Sequence, residues 1–209
     1  TSPSGSVHIG NFRDVATPYF VVKALRARGK KAKLMLSWDD FDRLRKVPKN
    51  IAAIAPDFEK YLGMPYCMIP DPYGKYSSFA EYNEKEYEKS LEEMGIDIEY
   101  RYQGKEYTSG RYVPGILTAM HARKEIYDIL MRYKTQDSDE GERESYYPIS
   151  VYCSSCKKDF TKVVSYNEEK EEITYVCKAC GKEETVSLRD YHYVKLMWKI
   201  DWPMRWGVE

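Results

Sequence analysis

Three groups of residues in this 209-residue chain have types and spacings that can do chemistry. The first is a set of four cysteines. Cys153-Ser-Ser-Cys156 and Cys177-Lys-Ala-Cys180 stand twenty residues apart. Each Cys-x-x-Cys turn can aim two thiolates at one centre, and two such knuckles on facing hairpins converge on a tetrahedral four-sulfur site. Zinc suits that donor set, because it accepts four thiolates without redox change. Four cysteines leave no open position for water, so the expected role is structural. In so small a segment, metal binding supplies much of the folding free energy. Two disulfides are the rival arrangement, which a cytosolic chain disfavours. Cys67, alone between Tyr66 and Met68, reads as a buried thiol.

The second group is PSGSVHIGN, residues 3 to 11, just ahead of a long helical stretch. A glycine-rich turn feeding a helix suits phosphate, since a helix N-terminus presents unpaired N–H groups and the positive end of a dipole. The segment has neither the GxxxxGK[ST] nor the GxGxxG pattern. His8 and Asn11 lie one turn apart, and with the backbone N–H groups they could hold the phosphates of a nucleotide. Gly10 would let an adenine or ribose come close to the backbone. A capped helix start with an incidental histidine is the alternative. The third group is acidic: Asp39, Asp40 and Asp42 directly follow an apolar run.

The surrounding pattern must position these groups. Phe12, Val15, Ala16, Tyr19, Phe20 and Val22 recur at helical spacing between Gly10 and Arg28, with Gly29 as the stop and Pro18 expected to kink or split the helix. Residues 32–38 read as a buried strand, 46–75 as proline-punctuated loop, 79–94 as a charged helix ended by Gly95, and 96–102 as the next strand. An amphipathic helix is expected from about Ile116 to Tyr133, and a solvated boundary loop over 135–144. Loop, helix and strand in this order make most of a β-α-β unit whose first strand would lie upstream. In such α/β sheets ligands sit beyond the carboxyl ends of the strands, where both the PSGSVHIGN segment and the acidic group fall. Residues 145–188 alternate like short strands around the cysteines and read as an insert, after which an apolar run returns.

The formal net charge is zero, so nucleic-acid contact would need local basic patches rather than a global field. The longest apolar runs are far short of a membrane span and no signal peptide is visible, which makes a cytoplasmic chain with no membrane partner the expectation.

His8-Ile9-Gly10-Asn11, preceded by Pro3-Ser4-Gly5, resembles the HIGH signature of class I aminoacyl-tRNA synthetases in an HIGN form. The block WDDFDRLRKVP at 38–48 is similar to the WDDxDRxRKVP segment of the class I lysyl-tRNA synthetases. IPDPYG at 69–74, the four-cysteine insert and DWPMRW at 201–206 match the same family in order, over nearly the whole chain. The resemblance implies a Rossmann-like parallel sheet with an inserted zinc ribbon. The first part of the catalytic domain would occupy 1–144, the insert 145–188 and the return 189–209, with the KMSKS loop and anticodon-binding region downstream. It implies activation of L-lysine by ATP, with Mg2+, and transfer to tRNA(Lys). Ser4, Gly5, His8, Gly10 and Asn11 would bind ATP, with His8 and Asn11 the catalytic donors. Asp39 would hold the substrate α-amino group, Ser2 would line the amino-acid pocket, and Trp202 or Trp206 would wall the lysine stem. Asp40 or Asp42 would meet the ε-ammonium, or else pair with Arg43 or Arg45. Two other readings stand beside this one. Another HIGH-motif nucleotidyltransferase would also use His8 and Asn11. A non-catalytic zinc-ribbon RNA binder would track phosphates with Arg26, Arg28, Lys30, Lys31 and Lys33.

Overall fold

A computed structural model describes residues 1–133 and 140–205. The chain folds as two units, Thr1–Lys105 and Glu106–Glu209.

In the first unit, helix α1 (Ile9–Ala27) begins at His8, whose imidazole accepts the Gly10 N–H, while the Asn11 side chain accepts the His8 N–H. This reciprocal capping satisfies two of the donors that a helix start leaves over. The helix runs unbroken through Pro18, so the expected split does not occur; one lost backbone bond is tolerated within nineteen residues. Gly29, at φ +72°, ends it. Strand β1 (Met35–Trp38) is shorter than the expected 32–38. The proline-rich stretch that follows holds helix α2 (Lys49–Ile54) and two single turns, Phe58–Tyr61 and Tyr66–Met68. Helix α3 (Phe79–Glu93) is capped by Ser78, whose hydroxyl accepts the Glu81 N–H at 3.1 Å, and Gly95 at φ +69° follows it. Strand β2 (Glu99–Tyr102) lies parallel to β1, in register from Met35 opposite Glu99 to Trp38 opposite Tyr102.

Both edges of β1 are engaged. The Leu34 carbonyl accepts the Glu99 N–H on the β2 side. Ser37 lies three residues on, so its carbonyl faces the opposite edge. There it accepts from the Thr1 nitrogen at 2.9 Å, and the Asp39 N–H donates to the Thr1 carbonyl at 2.8 Å. That pair of bonds astride Trp38 is the parallel-strand pattern. Val15, Val22, Leu34, Leu36, Trp38 and Leu91 form the core under this sheet.

Helix α4 (Gln103–Thr108) follows β2 directly. In the second unit, the expected single helix near 116–133 is two, α5 (Val113–His121) and α6 (Arg123–Met131), broken at Ala122, whose ψ of 12° departs from the helical value. Helix α7 (Glu140–Glu144) replaces the end of the expected boundary loop, and residues 134–139 of that loop lie outside the described residues. Arg143 fixes α7 to α6 through two 2.7 Å bonds to Asp128. Strands β3 (Ile149–Val151), β4 (Thr161–Asn167), β5 (Glu172–Cys177), β6 (Glu183–Ser187) and β7 (Val194–Leu196) make two antiparallel sheets, β3 with β7 and β4-β5-β6. Helix α8 (Trp198–Arg205) follows. No helix among the described residues is long and apolar enough to cross a membrane.

Helix α3 carries polar groups on its buried side. Asn83 donates to the Phe79 carbonyl at 2.8 Å and reaches the Pro3 carbonyl at 3.5 Å. Glu88 is fully used: it accepts from the Trp38 indole at 3.0 Å and the Tyr102 hydroxyl at 2.8 Å, and it pairs with Lys85 at 2.6 Å. Glu84 differs. It is 3% exposed, and its Oε1 has no hydrogen-bond partner. Burial, then the charges of Asp40 and Glu88, push its carboxyl up to about 8. Between the ordinary carboxylate range and pH 8 the folded protein therefore holds a proton that the unfolded chain has lost, and stability falls as pH rises through that window. Glu84→Gln should gain on the wild type by up to ~1.4 kcal/mol per pH unit from about pH 5 to pH 8. Denaturant melts at both ends of the window check this, and a pH-independent difference refutes it.

Candidate active site and metal centre

The acidic residues leave the end of β1 and turn at once. Phe41 is fully buried and pins the turn. Backbone bonds from Cys67 to the Asp40 carbonyl, from Tyr66 to Asp42 and from Leu44 to Met64, at 2.8–3.0 Å, lay it against residues 64–67. Asp39 and Asp40 are both buried. The Asp39 N–H donates to the Thr1 carbonyl. Asp40 Oδ1 accepts the Gly104 N–H at 2.6 Å, at the start of α4. A Cβ on Gly104 would lie 2.8 Å from Asp40 Oδ2 and 2.9 Å from Cys67 Sγ, so only glycine allows that approach. Cys67, expected to be buried, is half-buried against this glycine. Asp42 Oδ2 accepts from the Ser2 hydroxyl at 3.3 Å, and Gln103, fully buried, donates to Ser37 Oγ at 2.7 Å.

The helix start stands beside this edge. His8 Nδ1 accepts the Gly10 N–H at 2.9 Å, so a neutral ring carries its hydrogen on Nε2, and the side chain is exposed. A Cβ on Gly10 would lie 2.6 Å from the imidazole Cε1. The glycine is thus already demanded by the histidine, whatever else comes close to it. Asn11 Nδ2 donates to Thr1 Oγ1 at 3.2 Å. Ser4 is exposed, and Gly5 sits against Pro48. One linked set, Asn11 to Thr1 to Asp39, therefore joins the helix start to the end of β1. On one side it offers N–H donors suited to a polyanion, and on the other carboxylates suited to an ammonium. The patch proposed for phosphate tracking is partly neutralised, since Arg26 pairs with Asp97 at 3.5 Å and Lys33 with Glu99 at 2.6 Å.

Asn83, Glu84, Gln103 and Gly104 escaped the reading of motifs. A signal for Glu84 existed: it falls on the stripe Ala80, Glu84, Tyr87, Leu91, at the spacing of the buried face of α3. Gln103 and Gly104 are placed by tertiary contact and carried none.

In the second unit the four cysteine sulfurs lie within 4.8 Å of one another, with Cys153 to Cys180 and Cys156 to Cys177 each at 3.6 Å. A tetrahedron with metal–sulfur bonds of about 2.3 Å has edges of about 3.8 Å, so the donor set fits a metal ion. No pair is at bonding distance for a disulfide, about 2.05 Å. The two knuckles repeat one geometry. The N–H of Lys157 bonds the Cys153 carbonyl and the Cys153 N–H bonds the Lys158 carbonyl; Gly181, Cys177 and Lys182 do the same, all at 2.8–2.9 Å. Lys157 (φ 59°) and Gly181 (φ 76°) take the left-handed turn. Burial raises the Cys153 thiol, but backbone hydrogen bonds from Cys156 and Ser155 outweigh it and hold it at about 7. Glu184 locks the first knuckle to the sheet. It accepts from Ser154 and from the buried Tyr175, each at 2.5 Å, which holds its carboxyl down at about 2.

At α8, Asp201 and Arg205 are buried and paired at 3.7 Å, and the Tyr107 hydroxyl donates to Asp201. Trp202 is 49% exposed and meets Trp198 edge-on at 6.1 Å. Trp206 lies outside the described residues.

The family described as tRNA synthetases class I (K) matches residues 1–209. Among curated proteins, the lysine–tRNA ligase of Treponema pallidum is 41% identical over 208 residues, covering 100% of this chain and 38% of its own length. The lysine–tRNA ligase of Streptomyces coelicolor is 38% identical over 236 residues, covering 100% of this chain and 41% of its own. That of Thermococcus kodakarensis is 38% identical over 206 residues, covering 99% and 38%. The chain thus spans about two fifths of the length of these relatives. With the linked helix start and acidic strand end now placed, the match over every residue has one consequence: the chain belongs to the class I (K) tRNA synthetases.

Proposed function

We propose that the chain forms the lysine- and ATP-binding part of a cytoplasmic class I lysine–tRNA ligase, which activates L-lysine and transfers it to tRNA(Lys). The observation that carries this reading is the hydrogen-bonded set from Asn11 through Thr1 to Asp39, which puts polyanion donors and ammonium acceptors on one edge. His8, through Nε2, and Asn11 hold the triphosphate, with Ser4, Gly5 and Gly10 giving the turn its shape. Asp39 takes the substrate α-ammonium, and Ser2 and Asp42 line the same side. The lysine carboxylate oxygen then attacks the α-phosphorus. A new O–P bond forms as the α–β bridge breaks, pyrophosphate leaves, and the adenylate remains. A hydroxyl of the terminal adenosine of the tRNA next attacks the adenylate carbonyl, and AMP leaves. Mg2+ bound with ATP would supply charge neutralisation on the phosphates. Catalysis is positioning and charge stabilisation rather than covalent chemistry by the protein.

The four cysteines hold structural zinc in a ribbon over 145–188, inserted between 1–144 and 189–209 of the catalytic domain. The sulfur spacing and the absence of an open ligand position support this. Elemental analysis should find one zinc per chain, and Cys153→Ser should lose it and melt the ribbon. A folded wild type free of zinc refutes the assignment.

The decisive assay is lysine-dependent ATP–pyrophosphate exchange by the chain extended to the length of its relatives. Asp39→Ala should raise the lysine KM by about 10- to 100-fold, the worth of a charge-assisted bond, with the ATP KM within about twofold. Equal rises in both would sink the Asp39 role. His8→Ala should slow adenylate formation in single turnovers by about 100-fold; an unchanged rate leaves the imidazole as a helix cap only.

A further inference from the structure

Glu84 is the buried group that the reading above leaves idle. Its surroundings are spoken for. The charged groups that act on it are Asp40 at the end of β1 and Glu88, Lys85 and Glu81 on its own helix. Of these only Lys85 is a cation, and its ammonium is taken by Glu88 at 2.6 Å and Tyr102 at 3.0 Å. A carboxyl that is 3% exposed and carries an unpartnered oxygen is a costly arrangement unless a proton or a cation enters. The free protein is held near neutral there by a proton, since the group is pushed up to about 8.

The position is specific. Asp40 directly follows Asp39, and Asn83, next to Glu84 on α3, reaches the Pro3 carbonyl beside Ser2. Glu84 lies one turn before Glu88, which holds the Trp38 indole at the end of β1, so α3 carries Glu84 toward the strand end that bears Asp39 and Asp40. We propose that Glu84, together with Asp40, receives the terminal ammonium of the substrate side chain and so selects lysine over uncharged chains of the same length. The inference rests on the lysine-ligase reading. An ammonium fits better than Mg2+, which demands about six oxygens in an octahedron; here one Asp40 oxygen is already bound to Gly104. When the ammonium arrives as a cation, the proton on Glu84 leaves to solvent, so that charge balances: one positive charge in, one proton out.

The test uses the chain extended to the length of its relatives, with Glu84→Gln and Glu84→Met beside the wild type. Exchange kinetics are read with lysine as substrate and norleucine, which lacks the ammonium, as competitor. Both variants should raise the lysine KM at least 10-fold and leave the ATP KM and the norleucine inhibition constant within about twofold. Calorimetry at pH 7.5 in two buffers of different ionisation enthalpy should show proton release on lysine binding by the wild type and none by Glu84→Gln. Wild-type discrimination and proton release in the variants, with exchange intact, overturn the role of Glu84 and leave the ligase reading standing. Loss of ATP binding in both variants makes Glu84 a structural residue and overturns it too. A thermal shift with Mg2+ alone that Glu84→Gln abolishes makes the site a metal site instead. A wild type without lysine-dependent exchange overturns both the ligase reading and this inference.

Discussion

Two adjacent carboxylates leave the end of a buried strand, and the chain must close hydrogen bonds around them for the strand to stay buried. The Asp39 N–H bonds the Thr1 carbonyl, and the Asp40 carboxylate takes the Gly104 N–H. Much of the first unit follows from this constraint. Thr1 lies alongside β1, and the start of α4 comes so close that position 104 has no room for a side chain. Ser2, one residue on from Thr1, then falls against Asp42, and Asn11 ties the start of α1 to Thr1. The helix start and the acidic edge are neighbours because the same short segment satisfies both.

Polar groups are set into the apolar core below, and Glu88 among them serves geometry. Trp38, fully buried, packs edge-on to Tyr87 at 5.8 Å and gives its indole N–H to Glu88, which also accepts from Tyr102. Since Trp38 ends β1 and Tyr102 ends β2, one carboxylate on α3 fixes the carboxyl ends of both strands, the edge where ligands of parallel sheets bind. Packing alone would hold the strands; directional bonds also set their ends in one place.

What was legible in the sequence was whatever carries a local signal. The cysteine spacing, the helix stops at Gly29 and Gly95, and the parallel strand pair each follow from short-range chemistry. Pro18 does not split α1, because its local penalty is outweighed by the rest of a long helix. The break at Ala122 carries no glycine or proline to announce it. The role of Gly10 was half legible: a glycine after histidine suggests close approach, but the approaching group is the capping imidazole itself. Glu84 looked like one more charge on a charged helix, although its spacing from Ala80, Tyr87 and Leu91 already put it on the buried face of α3.

The two units then handle charge in a similar way. In the ribbon, Tyr175, Ser154 and the knuckle backbone fix four sulfurs at tetrahedral spacing before any ion is considered, and one turn accepts the left-handed conformation at Lys157 where its twin uses Gly181. A non-glycine residue there costs about 1 kcal/mol, which is retained because the turn closes the knuckle. In the first unit Asp40 is likewise held by the Gly104 N–H, and Asn83 ties the start of α3 to the Pro3 carbonyl. Both arrangements set their donor atoms through directional bonds from the chain itself. A site that relaxed when empty would lose its preference, because the energy of bringing the donors together would have to come from the ligand.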